Sequence, residues 1–225
     1  MNKLIMITTV LLVLCMVAPL PAQKAFIGVI GGVNMADMDI ESGDIDDIKS
    51  MNTISFGGLF GYRLTENLVL QFEPKYLVKG GTAVDPDGEI EIDITNKYLE
   101  VPVLVKAVFG QNRFHVLAGP TLGYMFSSEL ETKISGFTFT GDGEDILKNT
   151  DLGIVVGTGI NFPALKGNIF LDGRYSHGLI KQTKDGTAEL ESDGIVISLI
   201  AEKKNKLINK GFQIMLGYTF PINWK

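Results

Sequence analysis

The stretch "LVLQFEPKYLVKGG", residues 68–81, sets the reading of the whole chain. Leu68, Leu70, Phe72, Tyr76 and Val78 fall on one side of an alternating pattern, together with Pro74, while Gln71, Glu73 and Lys75 fall on the other. A period of two is the signature of a β-strand with two unlike faces. The run is longer than the typical soluble strand of about 5–6 residues. It meets the roughly 9–11 residues that a tilted strand needs to cross a bilayer.

The same alternation recurs along the chain. It predicts strands near residues 24–34, 52–63, 67–79, 96–109, 113–126, 151–162, 168–180 and 209–221. Short connections, "RLTEN" around residue 65, "GQN" at 110–112 and "PALKG" at 163–167, alternate with long ones near 35–51, 80–95, 127–150 and 181–208. Short turns at one end and long loops at the other are the layout of an outer-membrane barrel. The expected fold is therefore all-β: an eight-stranded antiparallel up-and-down transmembrane barrel with short periplasmic turns and four long extracellular loops. Composition agrees. The chain has 225 residues, 26 of them glycine, and a mean hydropathy of +0.21. Beyond the N-terminus it has no run of 18 or more apolar residues of the kind a membrane helix needs.

The two faces then acquire sides. In lipid every backbone polar group must be paired within the protein, which a closed barrel achieves. The continuous apolar face is assigned to lipid. The face bearing Glu73, Lys75, Glu100, Lys106, Asp172 and Arg174 is assigned to the lumen, three acids against three bases. Charges removed from water must be paired, so these six are expected to form a network that plugs the interior. Eight strands enclose little more than their own side chains. Gly57, Gly61, Gly119, Gly123, Gly153, Gly157, Gly159 and Gly217 share the inner phase and are expected to make room for the long charged groups. Pro74, Pro102 and Pro120 stand inside strands, where each removes a ladder hydrogen bond; local bulges are the expected accommodation. Phe109, Phe126, Tyr175, Tyr218 and Phe220 lie near strand ends, as interfacial girdles do.

The N-terminus reads as an export signal. Met1-Asn2-Lys3 is basic, Leu4–Val17 is apolar, and "APLPA" at 18–22 is a small-residue exit. This places a signal peptide at 1–22 and the barrel domain at 23–225. The single cysteine, Cys15, lies inside the signal, so the mature chain carries no disulfide.

Other candidate chemistry is sparse. Most of the 26 acids fall in the long loops, and the net charge is −6. Asp37, Asp39, Glu41, Asp44, Asp46 and Asp47 form an acidic first loop that invites loose association with divalent cations. Its glycine does not fall at the sixth position of a calcium loop, so no specific metal site is assigned. His115 points inward and His177 outward. Ser176 and His177 are neighbours on a strand and face opposite sides, so they make no nucleophile–base pair; neither an enzymatic activity nor a cofactor is expected. No basic–aromatic platform for nucleic acid appears. Lys203, Lys204, Lys206 and Lys210 form a basic rim suited to anionic lipid head groups. "EIEIDIT" at 89–95 alternates strictly and is expected to extend a hairpin that turns at "DPDG".

A series of motifs resembles a known family. "GVIGGVNMADM" at 28–38, "EPKYLVKGG" at 73–81, "YLEVPVLVKAVF" at 98–109, "FHVLAGPTLGYMF" at 114–126, "DLGIVVGTGINF" at 151–162, "DGRYSHGL" at 172–179 and "FQIMLGYTF" at 212–220 occur in order. Together they resemble the small outer-membrane β-barrel proteins called porin-family or PorT-like. The resemblance implies an outer-membrane location in a Gram-negative-type envelope and prolines at these same three points. It implies contact with outer-membrane lipid, lipopolysaccharide and the barrel insertion machinery, but no single activity. Barrels of this kind usually finish on an aromatic residue; here "PINWK" follows Phe220. The expected role is structural or interactive, with an envelope or secretion protein as partner. A narrow porin-like channel is the alternative. A lipocalin-like carrier would fill its inside with apolar residues, whereas here the charges share one phase.

Overall fold

The computed structural model describes residues 25–41, 47–84, 90–111, 113–134, 136–201 and 206–222. The predicted signal peptide, with Cys15, lies outside the described residues, as do Trp224 and the "DPDG" turn. The strands are β1 (Ala25–Glu41), β2 (Asp47–Lys49), β3 (Met51–Arg63), β4 (Leu68–Phe72), β5 (Lys75–Val84), β6 (Ile90–Phe109), β7 (Phe114–Ile134), β8 (Phe137–Asp142), β9 (Thr150–Ala164), β10 (Gly167–Gly178), β11 (Gly186–Ser192), β12 (Ile195–Ala201) and β13 (Lys206–Pro221).

Pairing closes the sheet on itself. β1 pairs with β3, β3 with β4 and β5, these with β6, and β6 with β7. β7 continues to β9, β9 to β10, β10 to β13, and β13 returns to β1. Every contact is antiparallel. With β4 and β5 counted as one interrupted stave, the ring has eight, joined in sequence order, the up-and-down arrangement that the alternation predicts. Closure leaves no edge in the spanning part.

Burial follows the two-residue period. Leu99, Val105, Val116, Leu122, Ile154, Val156 and Leu216 are exposed around the girth, while their sequence neighbours are buried. An apolar exterior of this extent over a polar interior is what a bilayer selects. Phe109 stacks on Phe114 at 6.2 Å near the short-turn end, and Tyr218 meets Phe220 at 5.9 Å. Toward the other end Phe56, Tyr76 and Phe126 form a chain of ring contacts at 5.2 and 6.1 Å. Phe114 and Tyr124 lie at opposite ends of the spanning part of β7. At ~3.4 Å per residue and a tilt near 40° the rise between them is about 25 Å, the height of a lipid-facing band.

The strands outrun the bilayer. β5 and β6 pair as far as Val84 and Glu91, which realises the predicted hairpin extension, and β6 with β7 as far as Ile90 and Ile134. On this projecting ladder Lys133 Nζ meets Glu91, Asp93 and Glu131 at 3.1, 3.2 and 3.3 Å. The hydrogen bonds it donates to Glu91, then Asp93, then Glu131 hold its ammonium above the ordinary lysine pKa.

Three sequence expectations change here. The segments 127–150 and 181–208 are not simply loops: the end of β7, with β8, β11 and β12, adds a small sheet in which β8 pairs with β7 and β11 with β12. Asp193 and Gly194, both with positive φ (47° and 81°), turn the β11–β12 hairpin; this is the Asp-Gly type I′ geometry that matches strand twist. The prolines do not sit at bulges. Pairing keeps its register across Pro74, Pro102 and Pro120; the shift lies instead at Lys97/Tyr98. At Pro74 and Pro102 the carbonyls keep partners: Gly58 N donates to Pro74 O at 3.0 Å and Glu73 N to Pro102 O at 3.2 Å. The strand is interrupted at Glu73–Pro74 without slipping. Finally, the acidic first loop is shorter than predicted. β1 runs to Glu41, which puts Asp37 and Asp39 on a strand.

Candidate functional site

The lumen is built by inward positions of every stave. Arg174, on β10, is fully buried. Its guanidinium donates through Nη1 to Glu73 Oε2 at 2.5 Å and through Nη2 to Glu73 Oε1 at 2.9 Å. Nη2 and Nε also donate to Asp172 Oδ2, at 2.6 and 3.2 Å. The fork geometry of arginine is what allows one cation to hold two carboxylates at once. Gln71 Nε2 donates to Glu73 Oε1 at 2.5 Å, and His115 Nε2 lies 2.7 Å from Asp172 Oδ1.

A second cluster lies toward the long-loop end. Lys75 Nζ is 3.4 Å from Glu100 Oε1 and donates to Gln213 Oε1 at 3.0 Å. Lys75 and Glu100 are directly opposite on β5 and β6. Lys79 Nζ bridges Glu100 Oε2 at 2.6 Å and Asp151 Oδ2 at 2.9 Å, and stands 5.0 Å from the Tyr98 ring centre. Asp151 also accepts from Gln182 and Asn209, each at 3.0 Å.

Space for these groups comes from missing side chains. A Cβ on Gly157 would meet Arg174, one on Gly57 would strike Lys75, and one on Gly159 would overlap Asp172 and His115. Gly217 opens room for Phe170, and Gly61 for Phe26. Above the charges an apolar cluster closes the long-loop end. Met38, Tyr98, Met125 and Leu130 from the staves pack there with Phe139, Ile146, Leu147 and Leu190. The segment 143–149 is tied in place by Met125 N to Asn149 O at 2.7 Å and Lys148 N to Gln182 O at 2.7 Å.

The structure therefore brings together five of the six predicted lumen residues: Glu73, Lys75, Glu100, Asp172 and Arg174. Lys106 stands apart. Among the described residues no carboxylate lies within ion-pair distance of it; its Nζ is 3.4 Å from Asn161 Oδ1 and 5.0 Å from the Phe170 ring centre. Lys79, Asp151 and His115 join the clusters. Lys79 continues the phase of Glu73 and Lys75, and Asp151 opens the phase of Gly153 and Gly157, so the same alternation contains both.

Of the six acids predicted for the first loop, the side chains of Asp37 and Asp39 are described. Asp37 and Asp39 hold Lys210, with contacts of 3.4 and 2.5 Å, on the outer face of β1 and β13. Asp47 begins β2, Glu41 ends β1, and Asp44 and Asp46 lie outside the described residues. Among the described residues, no three His, Cys, Asp or Glu side chains stand together as a metal site would require. His177 stacks on Tyr175 at 6.4 Å, outside the barrel, while Ser176 donates to Gly211 O at 3.3 Å.

Residues 21–184 match the family model described as an outer membrane protein beta-barrel domain. No curated protein matches the sequence significantly. Among solved structures, the chain is similar to the outer membrane protein OprG from Pseudomonas aeruginosa (13% identity, 89% of this chain and 98% of that one, TM-score 0.48). It is similar to the attachment invasion locus protein Ail of Yersinia pestis (11%, 88% and 99%, TM-score 0.43). It is also similar to the outer membrane protease OmpT from Escherichia coli (10%, 91% and 99%, TM-score 0.41). None of these likenesses is close enough to bring a function with it.

Proposed function

The chain belongs to the outer membrane protein β-barrel domain family, and from that premise we propose that it is a non-catalytic structural and interaction barrel whose lumen is sealed. The carrying observation is the double seal: the paired charges of Glu73, Arg174, Asp172, Lys75, Glu100, Lys79 and Asp151 at mid-barrel, and the apolar cluster at the long-loop end. A permeable lumen needs charges left facing water, and these face one another.

In this reading an N-terminal signal exports the chain to the outer membrane of a Gram-negative-type envelope. The short turns face the periplasm. The projecting ladder of β5, β6 and β7, and the β11–β12 hairpin, are displayed outside among lipopolysaccharide, where an envelope or secretion protein of the PorT-like kind would dock. Insertion proceeds through the barrel machinery reading the aromatic C-terminal strand. Proteoliposomes carrying the refolded protein should not swell in an isotonic pentose solution. Swelling at the rate given by an open porin would overturn the sealed reading.

A further inference from the structure

Beyond the barrel one strand edge is left open. Among the described residues, β12 pairs with β11 on one side and with no strand on the other. The hairpin turns in two residues, so Ser192 and Ile195 form its first hydrogen-bonded pair. Alternation then gives the main-chain groups of Ile195, Ile197, Leu199 and Ala201 to β11 and directs those of Val196, Ser198 and Ile200 to the open side. The side chains divide likewise. Ile197, Leu199 and Ala201 pack against the apolar cluster that caps the barrel. Val196 and Ile200 stand 57% and 72% exposed on the outer face, with exposed Ser198 between them. Open edges are normally guarded by lysine, proline or a bulge. β12 has none of these, and residues 195–201 carry no charge.

We propose that this edge takes up, as an added strand, an extended segment of a partner protein in which apolar residues stand two positions either side of a lysine or arginine. This rests on the reading in which the hairpin is displayed for docking, and it names what docks. The main chain of β12 supplies the hydrogen bonds of strand addition, and its outward side chains supply the selection. On an added antiparallel strand the residues opposite Val196 and Ile200 meet apolar neighbours. The residue opposite Ser198 meets a small side chain, beyond which stands exposed Glu189, the cross-strand partner of Ser198 on β11. A long cationic side chain reaches over Ser198 toward that carboxylate, whose backbone lies two strand spacings away, about 10 Å. Glu189, Glu191 and Asp193 give the hairpin 186–201 three acids and no base. That charge favours a cationic partner over a second copy, which would set two acidic hairpins side by side. The direction of β12 also disfavours a copy. It runs opposite to β7, back toward the barrel, so two copies in one membrane present it in the same sense and do not pair antiparallel.

The probe is a labelled synthetic peptide with valine, threonine, lysine, threonine and valine in that order at its centre. Its fluorescence anisotropy, titrated with refolded full-length protein in maltoside detergent, tests this independently of conductance and of orientation in the envelope. Saturable binding is expected. It should weaken roughly tenfold or more when alternate peptide amides are N-methylated, because the side chains stay and the hydrogen bonds go. Ser198→Pro removes an N–H from the open edge and should weaken binding likewise, in protein whose heat-modifiable migration shows a folded barrel. Glu189→Lys, at an exposed position, should weaken the lysine peptide and strengthen one with glutamate in its place. Maleimide labelling of Ser198→Cys on intact cells tests separately whether the hairpin is displayed. The proposal is overturned if the peptide does not bind saturably, if N-methylation leaves binding unchanged, or if charge reversal at Glu189 leaves the preference for lysine unchanged. It is overturned equally if the protein dimerises through this edge, seen as a disulfide in Ser198→Cys, and the dimer excludes the peptide.

Discussion

Arg174 and Glu73 meet across the barrel in a two-point contact, Nη1 to Oε2 at 2.5 Å and Nη2 to Oε1 at 2.9 Å, although they are 101 residues apart in sequence. Both are excluded from solvent. The same guanidinium holds Asp172, so one cation serves two carboxylates. Arg174→Leu would leave Glu73 and Asp172 buried without it, at a cost of about 3–5 kcal/mol. The double variant Arg174→Leu, Glu73→Leu should recover part of that loss, because the charge left unpaired is removed. Urea unfolding in lipid vesicles measures both; equal or greater loss in the double variant would show that the contact is not a paired network.

The lipid face gives a second test. Val105 is about half exposed near the middle of the lipid-facing part of β6, between Leu99 and Phe109 on the same face. Val105→Arg places a charge near the bilayer midplane and should cost about 2–4 kcal/mol in vesicles. Unfolding at the parent's urea concentration would mean that this face does not meet lipid.

Glycines on the two faces should respond oppositely. Gly159→Val puts a side chain where His115 and Asp172 stand, and overpacking of this kind costs about 1–3 kcal/mol. Gly58 faces outward, its nearest neighbour to an added Cβ being the Gly28 carbonyl at 3.9 Å, an ordinary contact. Gly58→Ala should fold as the parent does. The check is heat-modifiable migration of both variants on gels after refolding; equal behaviour would contradict the assignment of inner and outer glycines.

Orientation can be read with a thiol chemistry that residues 16–225 lack. With no cysteine after residue 22, a single thiol can be introduced by Ser198→Cys in the β11–β12 hairpin or Gln111→Cys in the turn between β6 and β7. An impermeant maleimide added to intact cells should label the first and spare the second. The reverse pattern would invert the barrel.

The strand phases were legible because the period of two is the direct consequence of a sheet with lipid on one side and packed charges on the other. Glu73, Lys75, Glu100, Asp172 and Arg174 could be placed inside from that alone. Their partners could not, because pairing depends on which staves curve toward one another across the lumen: Lys75 lies opposite Glu100 on an adjacent strand, but Arg174 reaches Glu73 across the interior. Lys79 and Asp151 were missed because they sit where strand passes into projecting ladder, and that boundary has no sequence mark once alternation continues beyond the bilayer. β11 and β12 were missed although Asp193-Gly194 is a hairpin signal; the alternation there is short and flanked by long polar segments. Lys106 shares the inner phase with the network yet stands outside it, since phase fixes a side and not a height along the axis.

The central claim is that paired charges and the apolar cluster close the lumen. Single-channel recording of refolded protein in a planar bilayer tests it most directly. The expected result is no conductance above the bare bilayer, in protein whose heat-modifiable migration shows a folded barrel. Steady openings, altered in ion selectivity by charge reversal at Glu73, would contradict it and make the inner charges the lining of a narrow channel.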